Sequence, residues 1–122
     1  MDEAEFNAFC GTLPATSTVV QWGEAHVWKV GGKVFAVGGW AKDIEGFAIT
    51  FKCSPLTFEI YRDEPGMRPA PYLASRGMSW LQWTGPETLD IATLKDYLGE
   101  SHRIVAAGLS KKARAELGLP TE

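Results

Sequence analysis

The chain has 122 residues and a mass of 13.4 kDa, with 12 Lys and Arg against 15 Asp and Glu. That length fits one domain over residues 1–122, and a chain of this size buries roughly two-thirds of its unfolded surface without metals or disulfides. A charged fraction of 22% and a net charge of −3 exclude a disordered composition, and a pI near 5.4 excludes a molecule that is basic all over.

Asp2 and Glu5 form an acidic capping pair, and Phe6, Phe9, Cys10 and Leu13 recur at helical spacing. They predict a helix over 2–12, ending near Gly11 and Pro14. Residues 15–23 are rich in Thr and Val and read as a connection or a short edge strand. Two β-prone runs, 26–30 and 33–37, flank Gly31-Gly32, a hairpin signal because both turn positions accept positive φ. That turn sets Val30 opposite Lys33, Trp28 opposite Phe35 and His26 opposite Val37. Residues 47–52 alternate as a third strand, with Phe47, Ile49 and Phe51 on its buried side.

Ser54 and Pro55 start a helix over 55–63 whose apolar side is Leu56, Ile60 and Tyr61. Residues 65–77 hold three prolines, Pro65, Pro69 and Pro71, and read as irregular. A strand over 78–84 points Trp80 and Gln82 to one face and Leu81 and Trp83 to the other. Asp90 caps a helix over 90–107 carrying Ile91, Leu94, Leu98 and Val105, and Ser110 caps a short one over 111–117. Strands joined by tight turns, with helices between and after them, predict an α+β fold. It is a two-layer domain, a mainly antiparallel sheet with helices packed on one face.

Several local strings resemble the MmcQ/YjbR family. They are Gly23-Glu24 with Val27-Trp28-Lys29-Val30-Gly31-Gly32-Lys33-Val34-Phe35-Ala36, then Phe51-Lys52-Cys53-Ser54-Pro55. Pro65-Gly66-Met67, Ala70-Pro71-Tyr72-Leu73-Ala74 and Trp80 follow, and Ser101-His102-Arg103-Ile104-Val105-Ala106-Ala107 with Leu109 and Lys111-Lys112 comes last. Their order and spacing carry the resemblance across about residues 5–117. Arg76-Gly77-Met78-Ser79-Trp80 departs from it, standing where many members place a basic residue, a histidine and then the tryptophan. The resemblance implies a compact antiparallel sheet backed by helices, similar to bacterial secretion chaperones, and a DNA-binding role.

The charges suggest where such a role would sit. Residues 1–28 contain no Lys or Arg but four acids, Asp2, Glu3, Glu5 and Glu24. Residues 101–122 carry Arg103, Lys111, Lys112 and Arg114 against Glu116 and Glu122, and Arg68 and Arg76 lie in the proline-rich stretch. The nucleic-acid reading therefore names Arg68, Arg76, Lys111, Lys112 and Arg114 as phosphate contacts. Of the five tryptophans, Trp28 reads as core beside Phe35. Trp80 and Trp83 point to opposite faces, so one of them sits on the open sheet face or under the loop containing Tyr72. An exposed ring among Tyr72, Trp80 and Trp83 could stack on a base or anchor a protein partner. The alternative reading is a protein-interaction or chaperone-like module that binds a protein segment on the open sheet face.

No cofactor or metal is expected, because no H-E-x-x-H, C-x-x-C or phosphate-cradling glycine motif occurs. His26 and His102 lack a partner in a nucleophile motif, and the carboxylates are scattered, so the chain is not expected to be an enzyme. Cys10 and Cys53 are expected as buried thiols. The acidic N-terminus does not resemble a signal peptide, and no run approaches the roughly 20 apolar residues of a membrane span. A cytoplasmic monomer without membrane contact is the expectation.

Overall fold

The computed structural model describes residues 1–71, 73 and 78–121. α1 (Glu3–Gly11) begins where the Asp2 carboxylate accepts the Glu5 N–H at 2.8 Å. β1 (Thr16–Gln21), β2 (Ala25–Val30) and β3 (Lys33–Gly38) follow as a meander, and β4 (Ile49–Lys52) pairs with β3. α2 (Pro55–Tyr61) starts at the Ser54 cap, with proline in its first turn. Leu56 and Ile60, expected on its apolar side, are exposed, and Phe58 joins the expected Tyr61 in packing against the core. β5 (Met67–Pro69) and β6 (Trp80–Trp83) complete the sheet, and α3 (Ile91–Ala107) and α4 (Lys111–Glu116) start at the Asp90 and Ser110 caps. Strand order is β1-β2-β3-β4-β6-β5, and all pairs are antiparallel. This is the two-layer α+β architecture.

The core lies between the sheet and α1 with α3. Phe6 and Cys10 from α1 and Leu94, Leu98 and Val105 from α3 meet Phe35, Phe51, Leu81 and Trp83 from the strands. Gly31 and Gly32 have φ of +56° and +83°, the two positive values that a tight hairpin turn requires. Gly38 is needed for a different reason: a Cβ there would lie 2.5 Å from the Phe47 ring and 2.6 Å from Phe6. Its bare backbone lets those two rings meet edge to face over the end of β3, with centroids 5.6 Å apart.

Several expectations are refined. Residues 15–23 contain a true edge strand, and β4 and β6 are shorter than the alternating runs that announced them. β5 lies inside the stretch read as irregular, because three residues ending in proline leave no periodic signal. The hairpin register holds at Val30 opposite Lys33 and then slips, so that Trp28 pairs with Ala36 rather than Phe35, and His26 with Gly38. Phe35 is the extra residue of a β-bulge. The bulge turns Phe35 and Ala36, neighbours in sequence, to the same helix-facing core as Trp28.

The bulge disturbs the next ladder as well. β3 and β4 pair as far as Ala36 opposite Phe51, and the next pair in register would be Phe35 and Lys52. Instead the Ser101 hydroxyl of α3 stands between them: it accepts the Lys52 N–H at 2.8 Å and donates to the Phe35 carbonyl at 2.6 Å. Ser101 is fully buried. Replacing it with alanine strands both backbone groups away from water, at about 1–3 kcal/mol for each unsatisfied group. Urea unfolding of Ser101→Ala should show a lower midpoint with an unchanged slope; a midpoint equal to wild type would mean that the strands can close the gap themselves.

Candidate functional site

The register gives the sheet two distinct ends. Gln21 with Ala25, Gly38 with Ile49 and Met67 with Trp83 mark one end. Thr16 with Val30, Val30 with Lys33 and Lys52 with Trp80 mark the other. α3 runs from the first end to the second. Its N-terminal flank is held by Trp83, whose Nε1 donates to the Leu89 carbonyl at 2.9 Å. Its C-terminal side reaches the hairpin turn, where Leu109 and Leu117 close over Gly31.

Charge segregates along this axis. Glu3, Glu24, Asp43, Glu64, Glu87 and Asp90 gather at the first end, on α1 and on the connections that leave the strands there, with Lys42 as an exposed cation among them. Lys33 on the hairpin, Lys111 and Lys112 on the first turn of α4, and Arg103 and Arg114 beside them gather at the second, where Glu116 is the one acid on α4. Lys33, Lys111 and Lys112 are exposed, and among the described residues none of the three makes an ion pair. Arg103 is bound to Glu100, one turn back on α3, with its Nε donating at 3.2 Å. Arg114 is half-buried and lines a cleft of about 430 Å³ with Pro14, His102, Leu119 and Pro120.

The residues named from sequence thus divide. Lys111, Lys112 and Arg114 share one end, and Lys33, missed because a hairpin lysine carries no pattern of its own, joins them. Arg68 does not belong with them. It sits on the sheet face away from α1 and α3, and its guanidinium forks onto Asp43 at 2.8 and 3.1 Å while Nε donates to Gln82 Oε1 at 2.7 Å. The Arg68 hydrogen bonds hold the Asp43 carboxyl below its usual range, and Asp43 raises Arg68 in return. Arg68 is engaged by the protein rather than offered to a phosphate. Trp80 and Trp83 are 5% and 4% exposed, so neither presents a ring for stacking. Tyr72 and Arg76 lie outside the described residues.

The exposed aromatic is another one. Trp22 is 48% exposed and its ring lies 5.1 Å from that of Trp40, centroid to centroid. The two line a groove of about 460 Å³ with Lys42, Asp43, Arg68 and Pro71. Trp22 and Glu24 hold φ of +54° and +72° on either side of Gly23, a left-handed conformation that bulky side chains avoid. Sequence reasoning missed Trp22: a tryptophan beside a glycine is the only local mark it carries, and its strain shows only in the backbone.

The remaining reactive groups have structural partners. Asn7 Nδ2 donates to His26 Nδ1 at 3.3 Å, His26 Nε2 meets Glu3, and Asn7 Oδ1 accepts from Trp28 Nε1 at 2.9 Å. His102 Nε2 donates to the Pro14 carbonyl at 2.7 Å, with its ring edge-on to Phe35. Cys10 and Cys53 are buried free thiols. Among the described residues no group of three or more His, Cys, Asp or Glu could hold a metal ion, and no helix is long and apolar enough to cross a membrane.

An antiparallel sheet with one helical face and a charge-polarised long axis defines a class of small two-layer α+β domains. Residues 11–104 match the YjbR family model, and the chain belongs to that family. It is similar in structure to the Deinococcus radiodurans protein DR2400, a DUF419 domain, with a TM-score of 0.83 and 24% identity over 99% of this chain and 91% of that one. A protein from Pseudomonas syringae matches with a TM-score of 0.68 and 18% identity over 86% of this chain and 99% of that one. At these identities the likeness is one of fold. None of the curated proteins matches the chain.

Burial pushes both thiols from the ordinary 9.0 up to about 12. The unfolded chain releases those protons near 9.0 and the folded chain only near 12, so the folded state holds more protons between the two values. Stability should therefore fall as pH rises through that window. Urea midpoints measured along it should drop, and Cys10→Ala should drop less steeply than wild type. Identical profiles would show that another group controls alkaline unfolding. Thiol reagents should label neither cysteine quickly in the native protein at neutral pH.

Proposed function

We propose that this domain is a non-catalytic binding module that takes the phosphate backbone of duplex DNA against its basic end. The observation that carries the reading is the grouping of Lys33, Lys111 and Lys112, exposed and without ion pairs among the described residues, at the end opposite Glu3, Glu24, Asp43, Glu64, Glu87 and Asp90. The three come from a hairpin turn and from α4, whose N-terminus is fixed by the Ser110 cap at 3.0 Å from the Ala113 N–H. Such a site positions a backbone and carries no base-reading group, so affinity is modest and independent of sequence. The absence of chemistry in the reading rests on thiols that stay protonated and imidazoles tied to Glu3 and Pro14. A reducing, cytoplasmic setting accords with two free thiols.

A second reading follows from a different observation, the strained and exposed Trp22 whose ring lies tilted against that of Trp40 in the groove. There the domain would hold an extended protein segment, with the indoles as anchors and the Asp43–Arg68 pair as a polar rim.

Salt separates the two. Three lysine–phosphate contacts give a slope of log affinity against log salt of about −3, at roughly −0.9 for each contact. In a fluorescence titration with duplex DNA, Lys111→Glu with Lys112→Glu should flatten that slope by about two, while Trp22→Ala should leave it unchanged. Undetectable binding at low salt, or a slope that ignores the lysines, would leave the groove as the better reading.

A further inference from the structure

The two edges of the sheet are built differently. β5 is three residues long, ends in Pro69 and carries the ion-paired Arg68. Those are the features by which natural sheets discourage edge pairing. β1 has none of them. It runs six residues, Thr16–Gln21, without a charge, a proline or a bulge, and residues 17–20 are exposed, Val19 at 39% and Val20 at 57%. An uncharged edge rich in β-branched residues is a template for another strand.

We propose that β1 is a homodimer interface, in which two copies pair edge to edge, antiparallel, about a two-fold axis through Val19. Two physical constraints select this arrangement. Directly opposed residues must lie on the same sheet face, so a two-fold centred on Val19 sets Val19 against itself, Thr18 against Val20 and Ser17 against Gln21. The three central pairs are all β-branched, the side chains that favour cross-strand contact. Charge supplies the second constraint. Thr16 lies at the basic end, opposite Val30 and beside the Gly31-Gly32 turn, and Gln21 lies at the acidic end, next to Glu24. Antiparallel pairing brings the acidic end of one copy beside the basic end of the other, whereas a parallel or foreign uncharged strand gains nothing from this polarity.

The result is a continuous twelve-stranded sheet with basic ends at its two opposite corners. A six-residue edge covers less than the roughly 1,200 Å² of a tight complex, so the dimer is reversible, with dissociation on the order of micromolar.

Sedimentation equilibrium over a dilution series at low salt tests it. Wild type should rise with concentration toward twice the 13.4 kDa chain mass, and added salt should shift the midpoint to higher concentration. Val19→Lys should remain at the monomer mass with an unchanged far-UV spectrum. Leu56→Lys, on the exposed side of α2 away from β1, should associate as wild type does. Hydrogen exchange of wild type supplies a reading that needs no variant: β1 amides should gain protection as concentration rises, and β5 amides should not. A wild type that stays monomeric throughout overturns the proposal and leaves the edge to a strand of another protein. Association that survives Val19→Lys, that is lost in Leu56→Lys, or that leaves β1 amides unprotected also overturns it.

Discussion

One hydroxyl group fixes the geometry on which the rest of the molecule depends. The bulge at Phe35 gives the core two adjacent inward residues but costs the β3–β4 ladder its next direct pair. Ser101 restores that pair through its own oxygen. A hydroxyl can do this because it donates and accepts at once; no apolar side chain of similar size could. The bond also sets the depth and rotation of α3 against the sheet. With Ser101 locked, the next residue, His102, meets the Pro14 carbonyl and ties the α1–β1 connection to the same helix. α3 then delivers Leu109 onto the hairpin turn, which decides where α4 lies. The position of Lys111 and Lys112 relative to Lys33 is thus inherited from a hydrogen bond made in the core.

The other face of the sheet obeys a different constraint. A single row crosses all six strands: Val19, Val27, Val37, Thr50, Gln82 and Arg68. Its first half is apolar and its second half polar, and Gln82, between Thr50 and Arg68, is fully buried. A buried amide must be satisfied on both sides. Gln82 donates to Thr50 Oγ1 at 3.0 Å and to the Trp40 carbonyl at 3.3 Å, and it accepts from Arg68. The connection after β3 is drawn over the face to provide that carbonyl, and Asp43 follows to neutralise the arginine. The groove between Trp22, Trp40, Asp43 and Arg68 borders this covering.

Much of this organisation was legible in the sequence because local chemistry determined it. Asp2, Ser54, Asp90 and Ser110 each begin a helix, and each accepts the backbone N–H three residues on. Gly31-Gly32 announced its turn for equally local reasons. The misreadings came from long-range causes. The bulge depends on Ser101, 66 residues from Phe35, and no alternation pattern within β2 and β3 records it. Arg68 looked available because its counter-ion, Asp43, is 25 positions away. One of Trp80 and Trp83 was expected on the open sheet face or under the loop containing Tyr72, because a sheet with helices on one side suggests an open opposite face. Both are buried. Here connecting segments cover part of that face, and such segments have no periodicity to betray them. At the candidate site the two lysines on α4 were visible as a run, whereas Lys33 joins them only through the packing of the hairpin turn.

The acidic pI is a weak argument against the basic end as a polyanion site. A six-residue strand spans about 20 Å at roughly 3.3 Å for each residue, and the connections lengthen the molecule beyond that. At physiological ionic strength the Debye length is about 8 Å, so a charge at one end is screened several-fold before its field reaches the other. A polyanion approaching α4 therefore meets Lys33, Lys111 and Lys112 with little opposition from Glu3, Glu24 or Asp43. The net charge of −3 averages two regions that no single phosphate can touch together. At low salt the screening length grows and the acidic end begins to repel. Phosphate binding to the lysines is then partly offset in the regime where it should be strongest, and the salt dependence curves below the straight line expected of an isolated basic patch.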